Sequence, residues 1–380
     1  MLHSVDWIFQ TSNAISAIPP IEWDTLNTDN PFTSHAFLSA LEDSASVGED
    51  TGWIPHHLLA QQSGKLVCAM PLYLKLHSYG EYVFDWSWAD AYQRNGLEYY
   101  PKLLCAVPFT PVTGPRVLSA NSEFSPRMVQ ALEGLLAQYA LSSAHVNFPD
   151  ETSTALFESA GWLKRSGVQF RWENKGYAHF EEFLSQLTHD KRKRIHQERK
   201  KVADTGVCCR WIPGSEVTES DWDFFYQCYC NTYHQHHSTP YLTRDFFSRL
   251  GQSMPQNILL MVAEIDGRPV ASTLNVYNRH TLYGRYWGAT QFVPGLHFEL
   301  AYYQAQAFCI AQGIRYFEGG AQGEHKLARG FEPRPTCSFH KIADARFADA
   351  IAQVVRREAL GIAAYTDELE ERAPFKSQAE

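Results

Sequence analysis

The stretch ILLMVAEIDGRPVASTLNVY, residues 258–277, leaves the chain little choice of conformation. Two runs dense in Ile, Leu and Val meet at Asp266-Gly267, a dipeptide that tolerates the left-handed backbone a two-residue hairpin loop requires. An antiparallel hairpin over Ile258–Ile265 and Val270–Tyr277 is therefore expected, with Thr281–Ala289 continuing as a third strand. Before it come a helical region from about His179 to Asp204, a strand at Cys208–Ile212, and helices over Asp221–Tyr229 and Leu242–Leu250. After it come a helix over Phe298–Gln312 ended by Gly313, then a strand Arg315–Glu318 that runs into Gly319-Gly320.

The first half repeats this grammar. Val5–Gln10 reads as an opening strand, and Ser34 caps a helix through Phe37, Leu38 and Leu41. His57–Gln61 and Leu66–Leu76 form a hairpin around Gln62-Ser63-Gly64. Ser125-Pro126 opens a helix whose stripe Met128, Leu132, Leu135, Leu136 and Tyr139 has helical spacing. A strand at Ala144–Phe148, a helix capped by Asp150 that stops at Gly161, and a strand over Trp162–Trp172 follow. Two copies of strand, helix, helix, antiparallel strands, helix, strand, helix predict an α/β duplication, each copy a mixed, mostly antiparallel twisted sheet flanked by helices. The expected division is 1–173, 174–357 and an acidic tail, 358–380.

Charge divides at the same place. The 380 residues carry 33 Lys+Arg against 42 Asp+Glu, a net −9. Residues 1–173 hold 9 basic and 18 acidic side chains, residues 174–357 hold 22 and 18, and residues 358–380 hold 2 and 6. Net acidity would argue against a dedicated nucleic-acid binder only if it were evenly spread; an acidic half, a basic half and an acidic tail instead suggest two units with electrostatically complementary surfaces. With 44 % hydrophobic residues the chain has ample core, and disorder is excluded. The start, MLHSVDWIFQTSNAISAIPP, lacks the basic and apolar regions of a secretory signal, and no run approaches about 20 apolar residues. A soluble cytoplasmic protein is the expectation. Its eight cysteines (68, 105, 208, 209, 228, 230, 309, 337) show no C-x-x-C pair, so they are read as reduced thiols.

Three segments are rich in chemistry. DKRKRIHQERKKV suits either a solvated helix face or an anion site, with Lys191 and Arg194 as its candidate contacts for the phosphates of a donor or of RNA. The segment from Arg285 to Arg329 offers Arg285, Trp287, His297 and Glu299 along a strand and the following helix start. It then gathers Glu318, Gly319, Gly320, Gln322, Glu324, His325, Lys326 and Arg329 into one loop, unusually dense in titratable groups. CYCNTYHQHHSTPYL invites a metal reading, but its spacing fits no structural zinc pattern and no metal is expected there. A helix end with Tyr233, His236 and Tyr241 as substrate contacts fits better. Gly-x-Ser-x-Gly is absent, which leaves a serine-hydrolase reading without support.

Together KRKRIHQERKKVADTG, GRYWGAT, FELAYYQAQAFCIAQGIRYFEGG and KLARGFEP resemble the second domain of the FemAB-like proteins, within the GNAT acyltransferase superfamily. PFTSHAFLSALEDS, FDWSWADAY, PFTPVTGPR, PYLTRDFF and EGGAQGEHKLARGFEP are more similar still to the bacterial branch named for peptidoglycan biosynthesis. The likeness covers about residues 5 to 357. It implies tandem GNAT-like domains with a substrate channel between them. It also implies transfer of an acyl or aminoacyl group to an amine of a small metabolite or peptidoglycan precursor, by direct attack in a ternary complex. No permanently bound cofactor is implied; the donor would be acyl-CoA, an acyl carrier protein or an aminoacyl-tRNA, with RNA or the carrier docking at the basic helix. Asp85, Trp86, Trp88 and Asp90 of FDWSWADAY would be the first domain's contribution, two indoles as walls and two carboxylates to hold an ammonium.

This chain departs from the family pattern twice. Only Gly295 in TQFVPGLHF stands where the superfamily has Gln/Arg-x-x-Gly-x-Gly/Ala, and no helical hairpin fits between Ala203 and Val207. Attack by an amine needs a base for the ammonium proton and donors for the oxyanion. His325 suits the first task near neutral pH, and Glu318 does if burial raises its pKa. Lys326 and Arg329 would bind carboxylate or phosphate. The competing readings are a ligand-binding protein that has kept the fold but not the catalysis, and an RNA-associated protein using Lys191–Lys201.

Overall fold

Residues 7–27, 29–320, 323–372 and 374–376 are described by a computed structural model. Strand β1 (Trp7–Ser12) leads into helices α1 (Pro20–Leu26) and α2 (His35–Asp43), the latter started by Ser34, whose hydroxyl accepts the Phe37 N–H at 3.2 Å. Four strands follow: β2 (Trp53–Pro55), β3 (His57–Gln62), β4 (Lys65–Met70) and β5 (Leu72–Lys75). FDWSWADAY supplies most of helix α3 (Trp86–Arg94). Then come β6 (Lys102–Cys105), β7 (Leu118–Ser119), α4 (Ser125–Gln138), β8 (Ser143–Asn147) and α5 (Glu151–Ser159), which Asp150 caps by accepting the Ser153 N–H at 2.8 Å.

Strand β9 (Leu163–Glu173) carries the chain onward. The single helix expected over 179–204 is two, α6 (Phe180–Gln186) and α7 (His189–Ala203). Between them Leu187 and Thr188 are extended because they pair with the C-terminal segment: Thr188 N–H donates to Pro374 O at 2.9 Å and Lys376 N–H to Gln186 O at 3.0 Å. Next are β10 (Val207–Pro213), α8 (Glu219–Gln235) and α9 (Arg244–Ser253). The hairpin forms as expected from β11 (Ile258–Ile265) and β12 (Arg268–Tyr277), with φ of 50° at Asp266 and 72° at Gly267. Strand β13 (Thr281–Ala289) leads to a helix in three parts: α10 (Leu296–Phe298), a π-helical stretch Glu299–Tyr303, and α11 (Gln304–Gln312). Strands β14 (Tyr316–Glu318) and β15 (Glu332–Ile342) and helix α12 (Ala345–Glu371) complete the chain.

Two compact units result, but neither is contiguous. One comprises 1–167 with 335–363, the other 168–334 with 364–380. This corrects the division at 173 and 357, and strand exchange is the cause. In the first unit, β15 lies antiparallel beside β8 with Ser338 opposite Asn147, and Phe339 enters a core with Met128, Leu132, Val146 and Phe157. In the second, the end of β9 lies antiparallel beside β14, with Trp172 opposite Phe317. The acidic tail is likewise corrected, because α12 is a long helix. Its Ile351 and Val355 are buried with Trp88 and Tyr92, and its Leu369 is buried with Trp172 and Phe317.

The duplication is visible in topology. Each unit is mostly antiparallel with one parallel pair joined through a helix, β6–β8 in the first and β13–β14 in the second. Each is α/β, with sheet flanked by helices; in the first unit β1, β3, β4 and β7 form a sheet of their own beside the one that holds β2, β5, β6, β8 and β15. Among the described residues no helix is long and apolar enough to cross a membrane.

Candidate active site

In the second unit, β13 and β14 pair only over Thr281–Tyr283. Beyond that point β13 turns through a bulge: Leu274 of β12 faces Tyr286 and Asn275 faces Gly284, so Arg285 is the extra residue. Helix α8 braces this strand, since Thr232 Oγ1 donates to Trp287 O at 2.7 Å and Asn231 Nδ2 to Ala289 O at 3.1 Å. The bulge and the π-helical stretch enclose a cavity of about 110 Å³ whose walls include Asn275, Arg285, Trp287, His297, Tyr302 and Gly319. Bulges and π-helical turns both concentrate at functional sites, where they re-aim side chains.

Helix geometry carries the chemistry to this wall. Tyr302 OH lies 3.1 Å from His325 Nε2, and the His325 ring packs on Phe298 at 5.5 Å. Partial burial and the charges of Arg329 and Lys326 lower the His325 pKa, so its ring is neutral at pH 7. His297, against Trp287 at 5.0 Å, is driven down to about 4 by burial and by its cationic neighbours. Burial brings Lys326 down to about 7, and its Nζ donates to Gly320 O at 2.8 Å.

Several expected contacts have other partners. Arg329 is 1 % exposed: its Nη2 donates to both Glu198 oxygens (2.8 and 3.0 Å), its Nη1 donates to His325 O at 2.7 Å, and its guanidinium stands 3.5 Å from the Phe298 ring centre. These bonds position the loop, and Arg329 does not line the cavity. Glu299 is buried against Arg199, which donates to both of its oxygens at 3.1 Å. Glu324 accepts from Tyr365 OH at 3.0 Å and Arg372 at 2.9 Å. Glu318 is set by strand alternation on the opposite face from Phe317 and Gly319. Burial raises its pKa against the pull of Arg171 and Arg334, but it does not line the cavity. Gly320 closes the turn with φ of 86°, and Gln322 lies outside the described residues.

Tyr233 and Tyr241 meet edge to face at 5.8 Å, and His236 ends α8 exposed; the three are not at the cavity. On the basic helix Lys191 is half-buried, and Arg194 is exposed and donates to Glu198 at 3.0 Å. Beside them His189, Arg192, Lys193, His196, Gln197 and Lys200 line an open groove of about 340 Å³. Among the described residues no group of three or more His, Cys, Asp or Glu is placed to hold a metal ion.

FDWSWADAY is corrected. Asp85 is 2 % exposed and the ammonium it holds is the chain's own: Lys102 Nζ donates to Asp85, to Glu81 at 2.9 Å and to Ser78 at 3.0 Å. Burial alone would raise the Asp85 pKa, but Lys102 and His145 hold it below the usual carboxylate range. Tyr99 OH also donates to Asp85 at 2.7 Å, and behind it His145 meets His340 at 2.6 Å. Trp88 is buried against His340, Trp86 packs at the surface on Tyr79 at 4.8 Å, and the exposed Asp90 pairs with Arg94.

Tyr302, Asn275 and Glu198 were missed in the sequence. The tyrosine sits in an apolar helical stripe that reads as core, and Glu198 is the minority acid of a basic run. No curated protein matches the chain in sequence. Among solved structures it is similar to FemX, with a TM-score of 0.55 and 10 % identity over 88 % of this chain and 98 % of FemX. It is also similar to the C-terminal domain of a protein designated a lysylphosphatidylglycerol synthetase in Agrobacterium fabrum (TM-score 0.54, 11 % identity, 92 % and 97 % covered). L-PGS from Bacillus licheniformis matches at a TM-score of 0.50 and 11 % identity, with 87 % and 97 % covered. At such identities these likenesses establish the fold. A family model described as peptidoglycan biosynthesis/recognition matches residues 14–377, and the chain belongs to that family, the FemAB-like proteins.

Proposed function

We propose that this chain is an N-acyltransferase that moves an acyl or aminoacyl group to an amine of a small metabolite or peptidoglycan precursor. The observation that carries the reading is the 3.1 Å approach of His325 Nε2 to the hydroxyl of Tyr302, a side chain in the wall of the cavity at the β13 bulge. The amine nitrogen attacks the acyl carbonyl within a ternary complex; the new C–N bond forms as the donor's oxygen or sulfur departs. His325, directly or through Tyr302, takes the ammonium proton, and Lys326 stands nearby as a cation when protonated. The family's description and the name of a structural neighbour, designated a lysylphosphatidylglycerol synthetase, support this class of reaction. The donor is acyl-CoA, an acyl carrier protein or aminoacyl-tRNA, whose phosphates dock along the groove of α7 at Arg192, Lys193 and Lys200.

The test offers each donor class with a panel of amines and follows amine-dependent release of the donor. With the active pair, His325→Ala is expected to lower kcat about a hundredfold or more with little change in KM. An unchanged kcat, or no turnover with any donor class, would sink the reading.

A further inference from the structure

The first unit has a larger groove of its own, about 500 Å³, between strand β1 and helix α4. One wall is a single face of α4, Arg127, Gln130, Ala131, Gly134, Leu135 and Gln138, at i, i+3, i+4, i+7, i+8 and i+11. The opposite face of that helix, Met128, Val129, Leu132 and Leu136, is core. The other wall is Phe9, Gln10 and Thr11 of β1, with Leu58 of β3 behind them. Strand β1 ends its sheet: it pairs with β3 along Trp7–Ser12 and, among the described residues, with no strand on its other edge.

Two residues of the α4 wall shape the groove. Gly134 is mid-helix with helical backbone, and a Cβ there would meet no atom within 4 Å. Glycine weakens a helix relative to alanine, and here it leaves the wall of the groove open where a side chain would project. Arg127 lies over the Trp7 ring at 4.8 Å and has no carboxylate partner among the described residues. Among the described residues it is the sole charged side chain lining the groove; the others are apolar, amide or hydroxyl.

We propose that this groove binds an extended peptide segment bearing a carboxylate, which adds to the free edge of β1 and sets its carboxylate on Arg127. A strand edge offers N–H and C=O groups at the repeat of a peptide backbone, a pattern sugars and lipids do not match. Gln10, Gln130 and Gln138 donate to and accept from amides, while Phe9, Leu135 and Tyr139 seat alternate side chains. Arginine pairs with a carboxylate through two parallel hydrogen bonds. The inference is independent of the acyl-transfer reading and concerns the first unit alone.

The experiment is affinity selection on the full chain with a mixed-sequence pentapeptide library, N-acetylated and ending in a free carboxylate, against the same library amidated. The acid library is expected to be retained about tenfold better. Arg127→Gln should abolish that preference. Gly134→Leu, which fills the groove from a position with open space, should abolish retention while the thermal midpoint is maintained; Gly134→Ala serves as the folded control. Equal retention of the two libraries, no retention, or retention that survives Gly134→Leu overturns the proposal. So does retention of a neutral chitooligosaccharide pool in place of the peptides.

Discussion

Arg329 is held at 1 % exposure by Glu198, whose two oxygens accept from its Nη2, and by the Phe298 ring, which covers its face. Arg329→Ala would leave that carboxylate without its main counter-charge and empty a packed site, at a cost of about 3 kcal/mol. Denaturant unfolding should show the lowered midpoint. Arg329→Lys is expected to restore little, because one ammonium cannot span both Glu198 oxygens and His325 O. The same charge acts on catalysis. A base works only when deprotonated, so activity should appear as pH rises through the His325 pKa. Burial, Arg329 and Lys326 place that pKa below 6.5. Lys326→Met removes one of the cations that disfavour the imidazolium, and the acidic limb of kcat/KM should move to higher pH; a limb that stays put would remove His325 as the group titrating there. These residues also mark the limit of what the sequence reveals. The loop's density of charge was legible, and His325, Lys326 and Arg329 do stand together. That Arg329 is spent on Glu198, 131 positions earlier in the chain, was not, because such a pair depends on tertiary distance alone.

Elements were legible wherever local chemistry decides them. Asp266-Gly267 has the positive φ its hairpin needs, and the Ser34 and Asp150 caps form as expected. Distant pairing escaped: the break at Leu187–Thr188 is imposed by residues 374–376, and the π-helical stretch has no signature in the spacing of HFELAYYQ. The glycines of β13 separate packing from function. A Cβ on Gly288 would come within 1.9 Å of Cys228 O, backbone that cannot yield without moving α8. Gly288→Ala should therefore cost about 3 kcal/mol, read as a fall in unfolding midpoint. At Gly284 the nearest atom is the Phe317 ring edge at 3.2 Å, with Asn275 Oδ1 at 3.7 Å, both in the cavity wall. Gly284→Ala should raise the donor KM while the midpoint stays within error of the parent. A midpoint loss matching that of Gly288→Ala would mean the cavity is merely packing.

At the scale of the whole chain, element order announced a duplication, but not that the copies trade strands. The first unit needs residues 335–363, which lie between the two segments of the second unit in sequence. Strand β15 covers the β8 edge, places Phe339 against Phe157 at 5.8 Å, and brings His340 to His145 at 2.6 Å. Without it, residues 1–173 would expose a strand edge and an apolar seat. The chain of hydrogen bonds from Lys102 through Asp85, Tyr99 and His145 would also end on an unpaired ring nitrogen. A fragment of residues 1–173 is therefore expected to lack a cooperative unfolding transition, although it contains every strand and helix that its own sequence predicts. Joining residues 335–363 to its C-terminus through a flexible linker should restore the transition, because the linker replaces only the covalent path through the second unit. Circular dichroism melts of the two fragments decide the matter. A sharp transition in residues 1–173 alone would mean that β15 decorates a unit already complete, and the strand exchange would then have no part in its stability.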